Sequence, residues 1–227
     1  MDGRRNLALV SWGAPLCLLL AVAQGAYAQS DDPIALQRQA IQQLDAVVAH
    51  ARKTGDLRSR VRDLAQIDTA LTASSQMLAA RGDWSAVALG LIKQGHVYRM
   101  QSNWQGAVGY YQQAEQAARR AGSIVQQADA LAWKSLAESN RRNYGQAAAD
   151  GKEAVRLAEK TGDNDVLARA LDVLGVAQVY QLDLAGAADT VNREVEVAKQ
   201  AKDPMTPYFA YLNRGDVYKQ YGQRCGF

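Results

Sequence analysis

Helix-boundary residues recur every forty positions along this chain of 227 residues. One series consists of glycines that are each followed by Asp or Ser: Gly82, Gly122 and Gly162. A second series, with the same spacing, consists of polar residues that are each followed by an apolar one: Asn103, Asn143 and Asp183. Glycine ends helices in the left-handed conformation, and Asp, Asn or Ser caps the free N–H groups that begin the next helix. We therefore predict that each forty-residue unit contains two helices.

The distribution of proline supports an all-helical chain. All four prolines lie outside positions 34–203, and Ala, Gln, Leu and Arg, which have high helix propensity, dominate that interior. Hydrophobic residues make up 48% of the chain and charged residues 22%, which is typical of a folded protein and not of a disordered one. The sequence therefore predicts an all-α fold.

Apolar residues recur at helical spacing within each unit. In the second helix of the first unit they are Trp104, Ala107, Val108, Tyr111, Ala114 and Ala118. In the first helix they are Leu91, Gly95 and Tyr98, and the position of Gly95 is occupied in later units by Ser135, Gly175 and Gly215. A very small residue at that position predicts a close approach of the paired helix.

This pattern resembles the tetratricopeptide repeat. The residues that carry the resemblance are Gly95, Tyr98, Trp104, Ala107, Tyr111 and Ala114. Three copies in one register, with the first helix of a fourth, cover roughly positions 83–222. The pattern has four departures: Glu138 and Gln178 replace Tyr98, Gly151 replaces Tyr111, and Glu194 replaces Ala114. The resemblance implies a right-handed α-solenoid of antiparallel helix pairs, with helices longer than in the family's usual repeat of about 34 residues.

The chain divides accordingly into six segments. They are a signal peptide (1–28), an N-terminal helical hairpin (29–82), three repeats (83–122, 123–162 and 163–202) and the first helix of an incomplete fourth repeat (203–227). The segment 29–82 does not follow the forty-residue register. It is interpreted either as a hairpin that packs on the first repeat or as a diverged repeat of different length.

The first 28 residues have the pattern of an export signal. Arg4 and Arg5 precede an apolar core at positions 16–23, and an Ala-Tyr-Ala site predicts cleavage between Ala28 and Gln29. An uncleaved anchor is less favoured, because a span takes about 20 apolar residues and this run is shorter. We expect a periplasmic or secreted protein, and the choice between the general and the twin-arginine export route stays open. After cleavage only Cys225 remains, so no intramolecular disulfide can form.

No motif for catalysis, for a cofactor or for a metal site is present in the sequence. The chain has two histidines, His50 and His96, and its carboxylates are scattered over predicted helix surfaces. The net charge of +3, with basic residues interspersed among acids, does not indicate a nucleic-acid partner. We therefore expect these residues to bind a protein or peptide without catalysing a reaction.

The first helices of successive repeats line the concave side of a helical solenoid. The positions predicted to face this groove are Leu89, Ile92, His96, Arg99, Met100, Asp129, Ala132, Leu136, Ser139, Asn140, Arg169, Asp172, Val176, Val179 and Tyr180. The resemblance implies that the groove takes an extended peptide or a helix of another protein. It does not extend to the family's clamp of Lys, Arg and Asn for a C-terminal carboxylate, because Ile92 and His96 occupy those positions.

The last twenty residues are rich in aromatic side chains. They include Tyr208, Phe209, Tyr211, Tyr218, Tyr221 and Phe227. We expect another subunit, or a further part of a longer chain, to cover them. The sequence therefore supports two hypotheses about function. One is a non-enzymatic scaffold or adaptor, and the other is the sensing or substrate-recruiting arm of a larger exported enzyme. The resemblance suggests a caspase-like peptidase as one example of the latter.

Overall fold

A computed structural model describes residues 31–225, which are helical apart from the turns. Within this range it contains a short 3₁₀ helix at Arg58–Arg60 and nine α-helices: α1 (Pro33–Thr54), α2 (Val61–Ala80), α3 (Trp84–Met100), α4 (Trp104–Arg120), α5 (Ile124–Asn140), α6 (Tyr144–Ala158), α7 (Asn164–Tyr180), α8 (Leu184–Ala198) and α9 (Thr206–Cys225). Consecutive helices pack in pairs, so the predicted all-α solenoid is confirmed. The predicted signal peptide and its cleavage site at Ala28 and Gln29 lie outside the described residues.

The turns between units follow the predicted chemistry. Gly82, Gly122 and Gly162 have positive φ angles of 76°, 67° and 67°. The side chain of Asp83 accepts a hydrogen bond of 3.0 Å from the Ala86 N–H, which caps α3. Asn143 differs, because its side chain makes no capping bond at the start of α6.

The turns inside the units contain a feature that was not predicted. Ser102, Arg142 and Leu182 adopt positive φ angles of 57°, 63° and 67° although none of them is glycine. They are spaced forty residues apart, like the glycines. The first two units therefore use the left-handed conformation twice, once inside the unit and once at its end, whereas the third unit uses it only inside, at Leu182.

The fourth unit departs from the register at its start. The helix α9 begins at Thr206, three residues after the predicted boundary at Asp203. Pro204 disfavours a helical conformation at the residue before it, so a turn replaces the first residues of the helix. The side chain of Asp165 accepts hydrogen bonds from the backbone N–H groups of Lys202 (3.0 Å) and Asp203 (3.1 Å) and thereby holds this turn.

The prediction of close helix approach is confirmed in the complete units. A Cβ atom at Gly95 would lie 2.6 Å from Cδ1 of Tyr111, which real side chains do not tolerate. At the equivalent position of the second unit, the small side chain of Ser135 also allows a close contact, and its hydroxyl donates a 2.8 Å hydrogen bond to the Ala147 carbonyl. At Gly215, in contrast, a Cβ atom would find nothing within 4 Å.

The segment that precedes the repeats packs as a further helix pair. Helix α1 contacts α2 and also reaches α3. Its buried residues Ala40, Leu44 and Val47 join Leu64, Ile67 and Leu71 of α2 in one hydrophobic cluster. The hairpin thus occupies the place that another unit would take, although its turn is longer and contains the 3₁₀ helix.

The solenoid bends toward its first helices. Helices α1, α3, α5, α7 and α9 make contacts along the series, whereas the second helices α2, α4, α6 and α8 are not in comparable contact with one another. Because the first helices lie closer together, they form the inner side of the curve. We call the surface formed by α1, α3, α5, α7 and α9 the inner surface.

Candidate binding surface

Four of the predicted groove residues are buried and do not line the inner surface. These are Ile92, Ala132, Ser139 and Val179, none of which exposes more than 6% of its surface. Ile92 packs with Ala114 and Ala130 between successive units. The prediction was wrong at these positions, because the helix face it used includes the contact between neighbouring first helices.

The other predicted groove residues are at least partly exposed to solvent. They are Leu89, His96, Arg99, Met100, Asp129, Leu136, Asn140, Arg169, Asp172, Val176 and Tyr180. Tyr180, near the end of α7, stacks on Tyr144 with the ring centres 4.6 Å apart. The most extensive contacts among the remainder surround a residue that was not predicted, Trp133.

Trp133 on α5 joins three consecutive units. The guanidinium carbon of Arg99 on α3 lies 5.1 Å from the centre of the indole ring, and that of Arg169 on α7 lies 5.0 Å away. Both distances are within the range of cation–π attraction. Arg169 also pairs with Asp129, one helical turn before Trp133. We call Trp133, Arg99, Arg169 and His96 the Trp133 cluster.

His96 lies at the buried edge of this cluster. Its ring centre is 4.6 Å from that of Trp133, and its Nδ1 atom is 2.8 Å from the Tyr111 hydroxyl. The imidazole tautomer decides whether His96 Nδ1 or the Tyr111 hydroxyl donates this hydrogen bond. Burial holds the pKa of His96 well below its usual range, and Arg99, Lys93 and Arg169 lower it further. His96 is therefore neutral at physiological pH.

The Trp133 cluster creates a positive field on the inner surface. Lys93, on the same helix as Arg99, joins Arg99 and Arg169 in lowering the pKa of His96. Within residues 31–225, Arg169 is the only one of these three cations that forms a salt bridge with a carboxylate. The Nε atom of Arg99 is buried and has no hydrogen-bond partner among the described residues. A positive surface around an aromatic ring can attract an acidic segment of a partner and offer it an apolar contact.

The inner surface continues toward the N-terminal hairpin as a cleft of about 410 Å³. Ile34, Arg38 and Ile41 of α1 form one side, and Ser85 and Leu89 of α3 belong to the other. Only Leu89 was predicted to face the groove. The contribution of α1 was missed because the hairpin does not follow the forty-residue register.

Two carboxyl groups, that of the buried Glu194 and that of the partly buried Asp172, lie at the other end of the array. Asp172 on α7 and Glu194 on α8 interact, and one carboxylate oxygen of Glu194 accepts a 3.1 Å hydrogen bond from Asn213 on α9. The other oxygen of Glu194 is buried without a hydrogen-bond partner in the described part of the chain. Burial raises the pKa of Asp172 to about 6. Burial, followed by the charge of Asp172, raises the pKa of Glu194 to about 8.

Residues 31–225 show neither a cluster of metal ligands nor a helix suited to span a membrane. No group of three or more His, Cys, Asp or Glu side chains in this range is arranged to hold a metal ion. None of the helices in this range combines the length and the apolar character that crossing a membrane requires.

Comparisons with known proteins support the fold and go no further. No protein-family model matches the chain. No curated protein matches it in sequence. Among solved structures, the crystal structure of BtubC (BKLC) from P. vanneervenii is similar, with a TM-score of 0.53 and 15% sequence identity over 85% of each chain. At this level of identity the similarity shows a shared helical fold alone.

Proposed function

We propose that this chain is a non-enzymatic protein-interaction scaffold of the tetratricopeptide type that acts outside the cytoplasm. Its inner surface would take an extended peptide or a helix of a partner protein. The Trp133 cluster is the observation that carries this proposal, because it combines an aromatic ring and cations from separate units on one concave surface. Location outside the cytoplasm rests on the signal-like pattern of residues 1–28.

The chemistry of the Trp133 cluster favours an acidic partner segment. Lys93, Arg99 and Arg169 supply positive charge on the inner surface. Arginine is suited to carboxylate recognition because its planar group donates two parallel hydrogen bonds. Trp133 would add apolar contact with a neighbouring side chain of the same segment.

Peptide selection against the purified protein tests the proposal. We expect a displayed random library to yield peptides enriched in Asp and Glu, with affinities that fall as the salt concentration rises. The substitution Arg99→Gln should weaken these peptides at least tenfold. Arg120→Gln is the matched control, because Arg120 lies 4.6 Å over the ring of Trp84 but belongs to the second helix α4. Equal losses for both variants, or no loss for Arg99→Gln, would show that the inner surface is not the binding site.

A further inference from the structure

Two carboxyl groups next to the Trp133 cluster include an oxygen atom that is buried without a partner. Asp172 on α7 lies one helical turn beyond Arg169 and is partly exposed on the inner surface. Glu194 on α8 is only 3% exposed. One of its oxygens accepts the 3.1 Å hydrogen bond from Asn213, and the other has no hydrogen-bond partner among residues 31–225. We call Asp172 and Glu194 the carboxyl pair.

The forty-residue register places these two carboxyl groups against each other. The corresponding residues of the first unit, Ile92 and Ala114, lie in one hydrophobic cluster between α3 and α4. Burial and, after it, the charge of Asp172 raise the pKa of Glu194, which agrees with this proximity. Two negative charges so close together are unfavourable, so the carboxyl pair has to take up a proton or a cation.

The described part of the chain does not supply that cation. Arg169 lies one turn before Asp172, but it pairs with Asp129 and its guanidinium lies over the ring of Trp133. None of the salt bridges within residues 31–225 includes Asp172 or Glu194. The carboxyl pair thus combines an unused buried acceptor with a carboxyl group that opens to the inner surface.

We infer that the carboxyl pair binds a basic side chain of the same partner segment whose acidic residue is bound by the Trp133 cluster. This inference rests on the proposed function, because the acidic residue brings the segment to the inner surface. A lysine ammonium group has three N–H donors, so it can bond to Asp172 and to the free oxygen of Glu194 at once. Its charge would replace the proton that the pair otherwise holds.

The positions of the two sites set the spacing of the charges in the partner. Arg169 and Asp172 are three residues apart on one helix face, which separates their Cβ atoms by about 5–6 Å. In an extended segment, side chains two positions apart point the same way and lie about 7 Å apart. An extended partner should therefore carry its acidic and basic residues two positions apart, and the opposite charges fix its register on the inner surface.

Binding of a peptide series tests this inference. Lysine is placed at each position of an acidic peptide in turn, and glutamine at the same position is the control. We expect lysine two positions from the acidic residue, on one side of it, to raise the affinity at least tenfold relative to glutamine. Asp172→Asn should abolish this gain. Asp189→Asn should retain it, because Asp189 is exposed and belongs to the second helix α8.

Hydrogen exchange of the original protein gives a second measurement that needs no variant. A bound ammonium group compensates the charge of the carboxyl pair, which lies beneath α9 and is bonded to Asn213. At pH 8 and equal saturation, the lysine peptide should therefore slow hydrogen exchange in α9 more than the glutamine peptide does.

The possible results distinguish the carboxyl pair from the Trp133 cluster. If no acidic peptide binds, both the proposed function and this inference are overturned. If acidic peptides bind but lysine adds nothing at any position, only the role of the carboxyl pair is overturned. The same follows if Asp172→Asn keeps the gain, or if both peptides slow hydrogen exchange in α9 equally.

Discussion

The buried carboxyl group of Glu194 makes the stability of the C-terminal units depend on pH, and Glu194→Gln should remove its share of this dependence. In the folded protein the pKa of Glu194 is raised from 4.5 to about 8, first by burial and then by Asp172. The folded state therefore binds more protons than the unfolded state between these two values. It follows that the free energy of unfolding falls as the pH rises from about 4.5 to 8.

The size of this effect follows from the pKa shift. The pKa of Glu194 differs by roughly 3.5 between the folded and unfolded states, and each pKa unit corresponds to about 1.4 kcal/mol. The free energy of unfolding therefore falls by at most about 5 kcal/mol at high pH. Between about pH 5 and pH 8 the loss attributable to Glu194 is about 3 kcal/mol by the same relation. Local opening limits the observed loss, because undocking α9 exposes Glu194 without unfolding the other units.

Glutamine is the suitable replacement because it retains an oxygen that can accept the hydrogen bond from Asn213 and cannot ionise. Urea unfolding at pH 5 and pH 8 measures the difference between the two proteins, and hydrogen exchange in α9 measures the local opening. We expect Glu194→Gln to match the original protein at pH 5 and to exceed it at pH 8. The contribution of His96 is the same in both proteins and cancels in this comparison. Asp172 is present in both proteins as well, so the difference between them reports the carboxyl group of Glu194 together with its interaction with Asp172.

Glu196→Gln is the matched control on the same helix. Glu196 is exposed and pairs with Lys199 at 2.7 Å, and exposed pairs of this kind contribute less than about 1 kcal/mol. Its replacement should leave the pH dependence unchanged. The explanation based on a buried carboxyl group would be refuted if Glu194→Gln and the original protein lost stability equally between pH 5 and pH 8.

Two further predictions concern the turns and helix contacts, and both can be checked by urea unfolding. Gly95→Ala should cost about 1–3 kcal/mol because its Cβ atom collides with Tyr111, whereas Gly109→Ala, with open space, should stabilise by up to about 1 kcal/mol. Equal effects would exclude close packing as the reason for glycine at position 95. Leu182→Gly should stabilise by about 0.5–1 kcal/mol, because glycine adopts the positive φ of 67° without strain and Leu182 is 64% exposed. A loss of stability would mean that Leu182 makes packing contacts that outweigh the backbone strain.

The helices could be predicted because their boundaries depend on local chemistry that the chain repeats. The glycines at the ends of units, and capping residues such as Asp83, act on backbone groups within a few positions, so spacing alone reveals them. The left-handed residues Ser102, Arg142 and Leu182 escaped prediction, since no shared residue type marks their position. The start of α9 was also predicted three residues too early, because Pro204 prevents the helix from beginning directly after Asp203.

The candidate site depends on distances between units, which spacing along the chain does not contain. Trp133 was missed because its importance comes from Arg99 and Arg169, which belong to the units on either side. Ile92 was assigned to the groove because it shares a helix face with His96, although α5 covers it. A large aromatic residue on the predicted groove face of α5 was the one sequence signal that could have identified Trp133.

The forty-residue register also identifies the weakest layer of the array. One layer in each unit brings together a residue of the first helix, one of the second helix and one of the next first helix. In two units these residues are apolar: Ile92, Ala114 and Ala130, then Ala132, Ala154 and Ala170. In the third unit the corresponding residues are Asp172, Glu194 and Ala210, so two carboxyl groups replace an apolar contact. Because the cost of burying them grows as they ionise, α9 should be the first helix to detach when the pH rises.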